Sequence, residues 1–288
     1  MSRNKDRLGN RTVQHSDPPP QATEQHNTEN TERFSFVVPT EHVELPSQGR
    51  FYSTEHPLHN ESSIEIRQMT AKEEDLLTSR SLLKKGTALE RVIKNLIVNK
   101  RINPDTLLVG DRNAIMIAAR ISGYGSEYNT SVTCPSCSAK IEHSFDLHES
   151  TINSGESSDS LGVREEPNGI FSTILPKTRC EVRFRLLRGT DEKTLLQQIE
   201  NARKRNREEN AVTRQLRMLI VSVNGDDSME AINYFVENVP SLDAQHLRTA
   251  FANATPNVDL TQYFNCHECG YETEMEVPLS ADFFWPKR

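Results

Sequence analysis

The chain has 288 residues, of which 35% are hydrophobic and 26% are charged, with a mean hydropathy of −0.65 and a net charge of −7. This length allows one or two domains with a core, and the acidic balance disfavours general binding to phosphate backbones. No apolar run approaches the roughly 18–20 residues that a membrane span needs, so we expect no membrane span.

Residues 1–33 have the composition of a disordered tail. Pro18, Pro19 and Pro20 lie among polar and charged residues, and large apolar side chains are almost missing. Such a segment buries too little apolar surface to fold alone, although it could order on a partner. The opening MSRNKDRLGN lacks the apolar stretch of a signal peptide. We therefore expect synthesis inside the cell, where thiols stay reduced.

Residues 34–147 predict a mixed α/β domain. A strand is predicted where Ile64 and Ile66 alternate with polar residues. Two helices are expected to begin at capping boxes, in which a Thr and a Glu three residues later satisfy the first backbone donors. The two pairs are Thr70 with Glu73 and Thr87 with Glu90.

A third helix is expected after the sequence GDRN. Here Asp111 would cap the helix, and Arg112 would face the solvent. This interpretation is favoured over a catalytic Asp–Arg pair.

The first of two Cys-x-x-Cys pairs, Cys134 and Cys137, ends this domain and is followed by a strand-like alternation over residues 139–147. Residues 148–169 are rich in Ser, Gly and Glu, which is typical of a flexible linker.

Residues 170–260 predict a mostly helical insertion that begins with two strands. One helical stripe is formed by Val212, Leu216, Leu219, Ile220 and Val223.

The most basic cluster of the chain is Arg203, Lys204, Arg205 and Arg207. It lies among glutamates and lacks aromatic residues that could stack on bases, so a solvated helix face is favoured over a nucleic-acid contact. Cys180 is expected to be a small core residue.

The second pair, Cys266 and Cys269, opens residues 261–288 and is also followed by an alternating run. A redox Cys-x-x-Cys would instead open a helix, and five cysteines fit a disulfide framework poorly. Two such pairs on hairpins are the pattern of a zinc ribbon, in which four thiolates surround one ion.

We therefore predict one structural Zn²⁺ per chain, bound by Cys134, Cys137, Cys266 and Cys269. Such a site leaves no open coordination position for a substrate. His143 and His267 are possible replacement ligands, but both are expected at the surface.

The expected fold class is α+β: a mixed N-terminal domain, a Cys₄ zinc ribbon built from two distant knuckles, and a mostly helical insertion. The sequence contains no P-loop, dinucleotide fingerprint, nucleophile elbow or metalloprotease histidine pair. We therefore expect no catalytic residues and no small-molecule substrate.

Several motifs occur in an order that resembles one family. They are ELPSQGRFY, IRQMTAKEEDLL, LLKKG, LLVGDRNAIMIAARISGYGSEY, VTCPSC and CHECG followed by VPLSADFFWP. In residues 36–147 and 262–286 the chain resembles the baseplate hub proteins of T4-like contractile-tailed bacteriophages. The resemblance implies a structural or assembly component of the tail baseplate, made in the host cytoplasm and built into the virion. Its expected partners are other baseplate or tail proteins.

The resemblance also makes two segments candidate contact surfaces, Leu45–Tyr52 and Tyr124–Tyr128. Phe51 and Tyr52 are either interface anchors or side chains folded over the local core. The C-terminal aromatics Phe283, Phe284 and Trp285 are expected to dock on the first domain near the ribbon, with a partner as the alternative.

Two other functions stay open. A zinc-ribbon protein that binds nucleic acid is one, although the net charge disfavours it. The other is a tail assembly chaperone that leaves before the virion matures.

Overall fold

The structure, a computed structural model, describes residues 37–79, 81–82, 87–155, 161–205, 208–278 and 281–284. The predicted tail at residues 1–33 lies outside the described residues. Arg207 and Trp285 lie outside them as well. Residues Val38–Arg288 form one compact unit.

The first strands form where the apolar residues alternate. Strand β1 (Thr40–Glu44) pairs antiparallel with β2 (Ser63–Arg67), and the alternation buries Ile64 and Ile66 as predicted. The helices that follow include α1 (Ala71–Thr78), α2 (Ala88–Leu96) and α3 (Val109–Tyr124).

The first predicted capping box is confirmed. Thr70 is the N-cap of α1, and its backbone N–H and hydroxyl donate to Glu73 Oε2 over 3.0 and 2.8 Å. Thr87 is the N-cap of α2 as predicted. The second box is not formed, because Glu90 accepts a hydrogen bond from Lys193 at 2.7 Å instead.

The prediction that Asp111 caps α3 is wrong. The helix begins two residues earlier, and Asp111 is fully buried in its first turn. Its carboxylate accepts hydrogen bonds from Ser47 N (3.0 Å), Ser47 Oγ (2.6 Å) and Tyr52 Oη (2.7 Å). Arg112 does not face the solvent either, since its side chain is 14% exposed and pairs with Glu192 at 2.9 Å.

The segment Leu45–Tyr52 is consequently a poor contact surface. Phe51 and Tyr52 are both buried, and the Phe51 ring packs on Phe171 of the insertion. Phe51 and Tyr52 were predicted to be either interface anchors or side chains folded over the local core. The structure supports the second alternative.

Each cysteine pair lies in the loop of an antiparallel hairpin. The first hairpin joins β3 (Glu127–Thr133) to β4 (Lys140–Asp146), and the second joins β11 (Thr261–Asn265) to β12 (Glu272–Glu276). The predicted alternation produces these strands because every second side chain packs inward.

Between the hairpins, the chain leaves and returns at neighbouring points. β5 (Thr151–Asn153) pairs antiparallel with β10 (Asn257–Asp259). The predicted linker at 148–169 contains β5 and a further strand, β6 (Arg164–Glu166), while residues 156–160 lie outside the described residues.

Among the described residues, the predicted insertion at 170–260 contains four helices and, besides β10, three strands, which form a sheet together with β6 of the predicted linker. Strands β6, β7 (Ile170–Ile174), β8 (Glu181–Arg185) and β9 (Ile220–Val223) form an antiparallel sheet in that order. The helices are α4 (Gly189–Lys204), α5 (Ala211–Leu219), α6 (Met229–Asn238) and α7 (Ser241–Ala254). The helical stripe predicted to reach Val223 therefore stops at Leu219, because the next four residues form β9, which pairs with β8.

The helices and strands confirm the predicted α+β class. Buried apolar side chains form one cluster that runs from Val43 in β1 to Phe284 near the C-terminus. Within the described ranges, no helix is both long enough and apolar enough to cross a membrane.

Candidate metal centre

The first cysteine loop is a tight turn closed by its own backbone. Cys134 N donates to Ala139 O, and Ser138 N donates to Cys134 O, each over 2.9 Å. Ser138 adopts a positive φ of 60° to complete the turn. The side chains of Cys134 and Cys137 are thereby brought to one side of the loop.

The second loop repeats the first. Cys266 N donates to Tyr271 O at 2.9 Å, and Gly270 N donates to Cys266 O at 2.8 Å. Gly270, with a φ of 69°, occupies the position of Ser138 and adopts the left-handed conformation without strain. The two loops therefore present their thiols in equivalent ways.

The fold brings all four predicted sulfurs into one cluster. Their Sγ atoms lie within 4.8 Å of one another, with 3.8 Å between Cys134 and Cys269 and 3.7 Å between Cys137 and Cys266. Zinc–sulfur bonds of about 2.3 Å in a tetrahedron place the sulfurs roughly 3.8 Å apart. The cluster could hold a metal ion.

Backbone amides point at the sulfurs, which favours thiolates. The N–H groups of Cys137 and Ser136 lower the pKa of the Cys134 thiol to about 7. At Cys266, burial raises the pKa although the N–H groups of Cys269 and Glu268 oppose this.

The close spacing of the sulfurs raises thiol pKa values and so disfavours thiolates. The N–H of Ala139 lowers the pKa of Cys137, but desolvation and the neighbouring thiols raise it to about 12. Four negative charges this close repel one another strongly, so a cation is needed before all four thiols can ionise.

The cluster reaches the surface on one side. Cys134 and Cys266, the first cysteine of each pair, are buried, whereas Cys137 and Cys269 are exposed. Cys180, the fifth cysteine, is half-buried in the insertion and packs against the core, outside the cluster.

The two candidate replacement histidines are not part of the cluster that the structure describes. His267 is exposed, as predicted. His143 is half-buried, contrary to the prediction, because its ring packs edge-on against Phe145 and Phe264 at centroid distances of 4.6 and 5.2 Å.

The sequence analysis does not predict one residue that joins the hairpins, Gln262. The side-chain amide of Gln262 in β11 donates to Asp146 O at 2.7 Å and accepts from Asp146 N at 3.2 Å. It thereby pairs with the end of β4 as a backbone strand would. A glutamine within an alternating run carries no local signal of such a role.

Two of the three C-terminal aromatics, Phe283 and Phe284, dock as predicted, and Trp285 lies outside the described residues. Phe283 and Phe284 are buried, and Phe283 meets the ring of Tyr128 in β3 at a centroid distance of 5.3 Å. In the second candidate contact segment, Tyr128 is buried and Tyr124 donates to Glu74 at 2.8 Å.

The basic cluster on α4 is a solvated helix face where the structure describes it. Arg203 pairs with Glu209 at 3.0 Å, and Lys204 pairs with Glu200 at 2.7 Å. The side chains of Arg203 and Lys204 are 71% and 67% exposed, so these pairs add little stability.

Comparison with known proteins places this chain in a phage protein family. A family model described as T4 bacteriophage base plate protein matches residues 39–285. The matched range includes both cysteine loops and the whole insertion. No curated protein and no solved structure matches the chain.

Proposed function

Since the chain belongs to the T4 bacteriophage base plate protein family, we propose that it is a structural or assembly component of the hub region of a contractile tail baseplate. The family match over residues 39–285 carries this proposal. The protein then acts by binding other baseplate or tail proteins and not by catalysis, and it resides in the tail baseplate after assembly in the host cytoplasm.

The second part of the proposal is that Cys134, Cys137, Cys266 and Cys269 bind one structural Zn²⁺. Four thiolates in a tetrahedral arrangement suit zinc and leave no open coordination position. The ion would join segments 129 positions apart, those of Cys137 and Cys266. Its role would be to keep the two hairpins together while the insertion folds between them.

Elemental analysis of the purified protein tests the zinc site. We expect about one zinc per chain, with most of it lost in Cys134→Ser and in Cys266→Ser. Cys180→Ser is the matched control, because it removes a thiol outside the cluster and should keep the metal. Full zinc in both cluster variants would refute a shared site, and a reversible disulfide within one pair would support a redox role.

The baseplate role is tested in phage particles. Mass spectrometry of purified virions should find the protein, and a phage lacking the gene should fail to assemble complete baseplates. Absence from the virion together with failed assembly would instead support an assembly chaperone. Retention of nucleic acid by the purified protein, weakening steeply as salt rises, would support the nucleic-acid alternative.

A further inference from the structure

The two cysteine hairpins are joined at both of their ends. Strands β3 and β11 run toward the cysteines, while β4 and β12 run away from them. The ends opposite the cysteines are therefore marked by the strand pairs Glu127 with Asp146 and Thr261 with Glu276. We call this the distal end of the hairpins.

A short part of the chain after β12 lies at this distal end. We call Pro278 together with Ala281–Phe284 the C-terminal segment. Tyr128 Oη donates to Pro278 O at 3.2 Å, which links the C-terminal segment to β3. Phe283 adds its edge-on contact with the Tyr128 ring, and Phe283 and Phe284 pack edge-on to each other at 5.1 Å.

Arg120, on the last turns of α3, is the central contact of the C-terminal segment. Its side chain is fully buried, and its guanidinium donates to Phe283 O (2.7 Å), Gly125 O (2.5 Å) and Glu127 O (3.0 Å). Within the described part of the chain, all three hydrogen bonds that the guanidinium donates go to backbone carbonyls. A buried guanidinium bound in this way fixes the backbone at three points at once.

From these contacts we infer that the C-terminal segment, anchored by Arg120, holds the two hairpins in the arrangement that brings the four thiols together. Each hairpin supplies two thiols, so a metal site forms only when the hairpins stay side by side. Contacts at the distal end keep the second pair of thiols at a high effective concentration around the first. Arg120 is thus a positioning residue for a site that it does not touch.

The inference deepens the proposed zinc site, and linkage makes it reciprocal. If docking of the C-terminal segment favours metal binding, then metal binding favours docking by the same factor. Removing the metal should therefore loosen the distal end of the hairpins as well as the cysteine loops.

Zinc release and hydrogen exchange test this coupling in the full-length protein. Phe283→Ala removes the aromatic contact and should speed zinc transfer to a chromogenic chelator by about tenfold or more. Amide exchange should rise in the C-terminal segment, in β3 and in β12, and stay unchanged in α6 and α7. Phe283→Leu restores an apolar side chain and should recover most of the slow release.

Tyr128→Phe is the milder test if Phe283→Ala does not fold, because it removes one hydroxyl and keeps the ring. It should speed zinc release, whereas Tyr263→Phe, at an exposed tyrosine of the same hairpins, should leave the release rate unchanged. Faster exchange in the C-terminal segment without faster zinc release would overturn the inference. Exchange that rises equally throughout the protein would also overturn it, since that result means general destabilisation.

The exchange measurements separate this inference from the zinc proposal. A wild-type protein without zinc would refute the zinc site. In that case the inference still requires that Phe283→Ala raise exchange selectively in β3 and β12.

Discussion

Asp111 is a buried carboxylate that connects α3 to the turn before β2. Burial raises the pKa of Asp111, while hydrogen bonds from Ser47 and Tyr52 oppose this rise. The Tyr52 hydroxyl in turn accepts from Leu108 N at 3.0 Å, just before α3 begins. The carboxylate therefore fixes how the helix is oriented against the preceding turn.

Replacing Asp111 with Ala should destabilise the protein by about 3 kcal/mol, because the buried donors of Ser47 and Tyr52 lose their acceptor. Urea unfolding monitored by circular dichroism measures the change. Asp75→Ala, at an exposed aspartate of α1, is the control and should change stability by less than about 0.5 kcal/mol. Equal effects of the two substitutions would contradict the buried role.

Ionised Glu73 is expected to stabilise the folded protein, and this stabilisation is expected to be lost at acidic pH. Burial raises the pKa of Glu73, but hydrogen bonds from Arg67, Thr70 and Asn95 outweigh this and lower it from 4.5 to about 2. Because the folded pKa is depressed, the stabilisation is complete above about pH 4.5 and is lost as the pH falls toward 2.

The variant Glu73→Gln isolates this contribution. It should be less stable than the wild type by about 3 kcal/mol at pH 7, and the difference should vanish near pH 2. Urea midpoints measured across that range provide the comparison. A difference that stays constant with pH would show that the charge of Glu73 is not involved.

Among the elements, β9 shows how pairing overrides a local pattern. The apolar spacing from Val212 to Val223 is helical throughout, yet the helix ends at Leu219. The last four residues of that stretch, Ile-Val-Ser-Val, are mostly β-branched and form β9, which pairs with β8. Periodicity alone did not distinguish a helix continued through this stretch from a helix followed by a strand.

Helix α3 packs so closely on the segment before β10 that its first turn has no room for a side chain. A Cβ atom on Gly110 would lie 1.9 Å from Pro256 O. Gly110→Ala should therefore destabilise the protein by about 2 kcal/mol, although Ala is the better helix former.

Gly123→Ala, near the other end of the same helix, is the matched control. Its Cβ would meet the movable end of the Met69 side chain at 2.5 Å, with no backbone nearby. This substitution should be neutral or stabilising by up to about 1 kcal/mol. Thermal unfolding of both variants measures the two changes in stability. A Gly110→Ala protein as stable as the wild type would show that α3 and the segment before β10 can separate.

In the molecule as a whole, the predicted insertion shares one hydrophobic core with the rest of the folded chain. It leaves and returns through the paired strands β5 and β10, while Phe171 of its sheet packs on Phe51 of the first part. We propose that the boundaries near residues 148–169 and 260 mark an inserted segment within one cooperative unit.

Calorimetry should therefore show one unfolding transition for the folded region. Chelation of the metal should shift that whole transition down by more than about 10 °C, because a structural zinc site contributes several kcal/mol. Cys180→Ser should respond to chelator as the wild type does. Two separate transitions, of which only one responds, would show that the insertion unfolds independently.

Much of the fold and of the candidate site could be predicted locally. The alternating runs after each cysteine pair predicted the hairpins, and the Thr70–Glu73 spacing predicted the start of α1. The four cysteines were predicted to cluster because their spacing and their hairpin context suit one tetrahedral site. The family resemblance was also carried by short motifs.

Local sequence therefore specifies the individual hairpins and helix starts and supplies the four thiols, since period and turn type depend on neighbouring residues. The contacts of Asp111, Arg120 and Gln262 follow only from the tertiary structure. Whether a polar side chain is a cap, an anchor or a link depends on which donors and acceptors distant segments bring to it. For Arg120 and Phe283 that distance is 163 positions, which no local pattern can indicate.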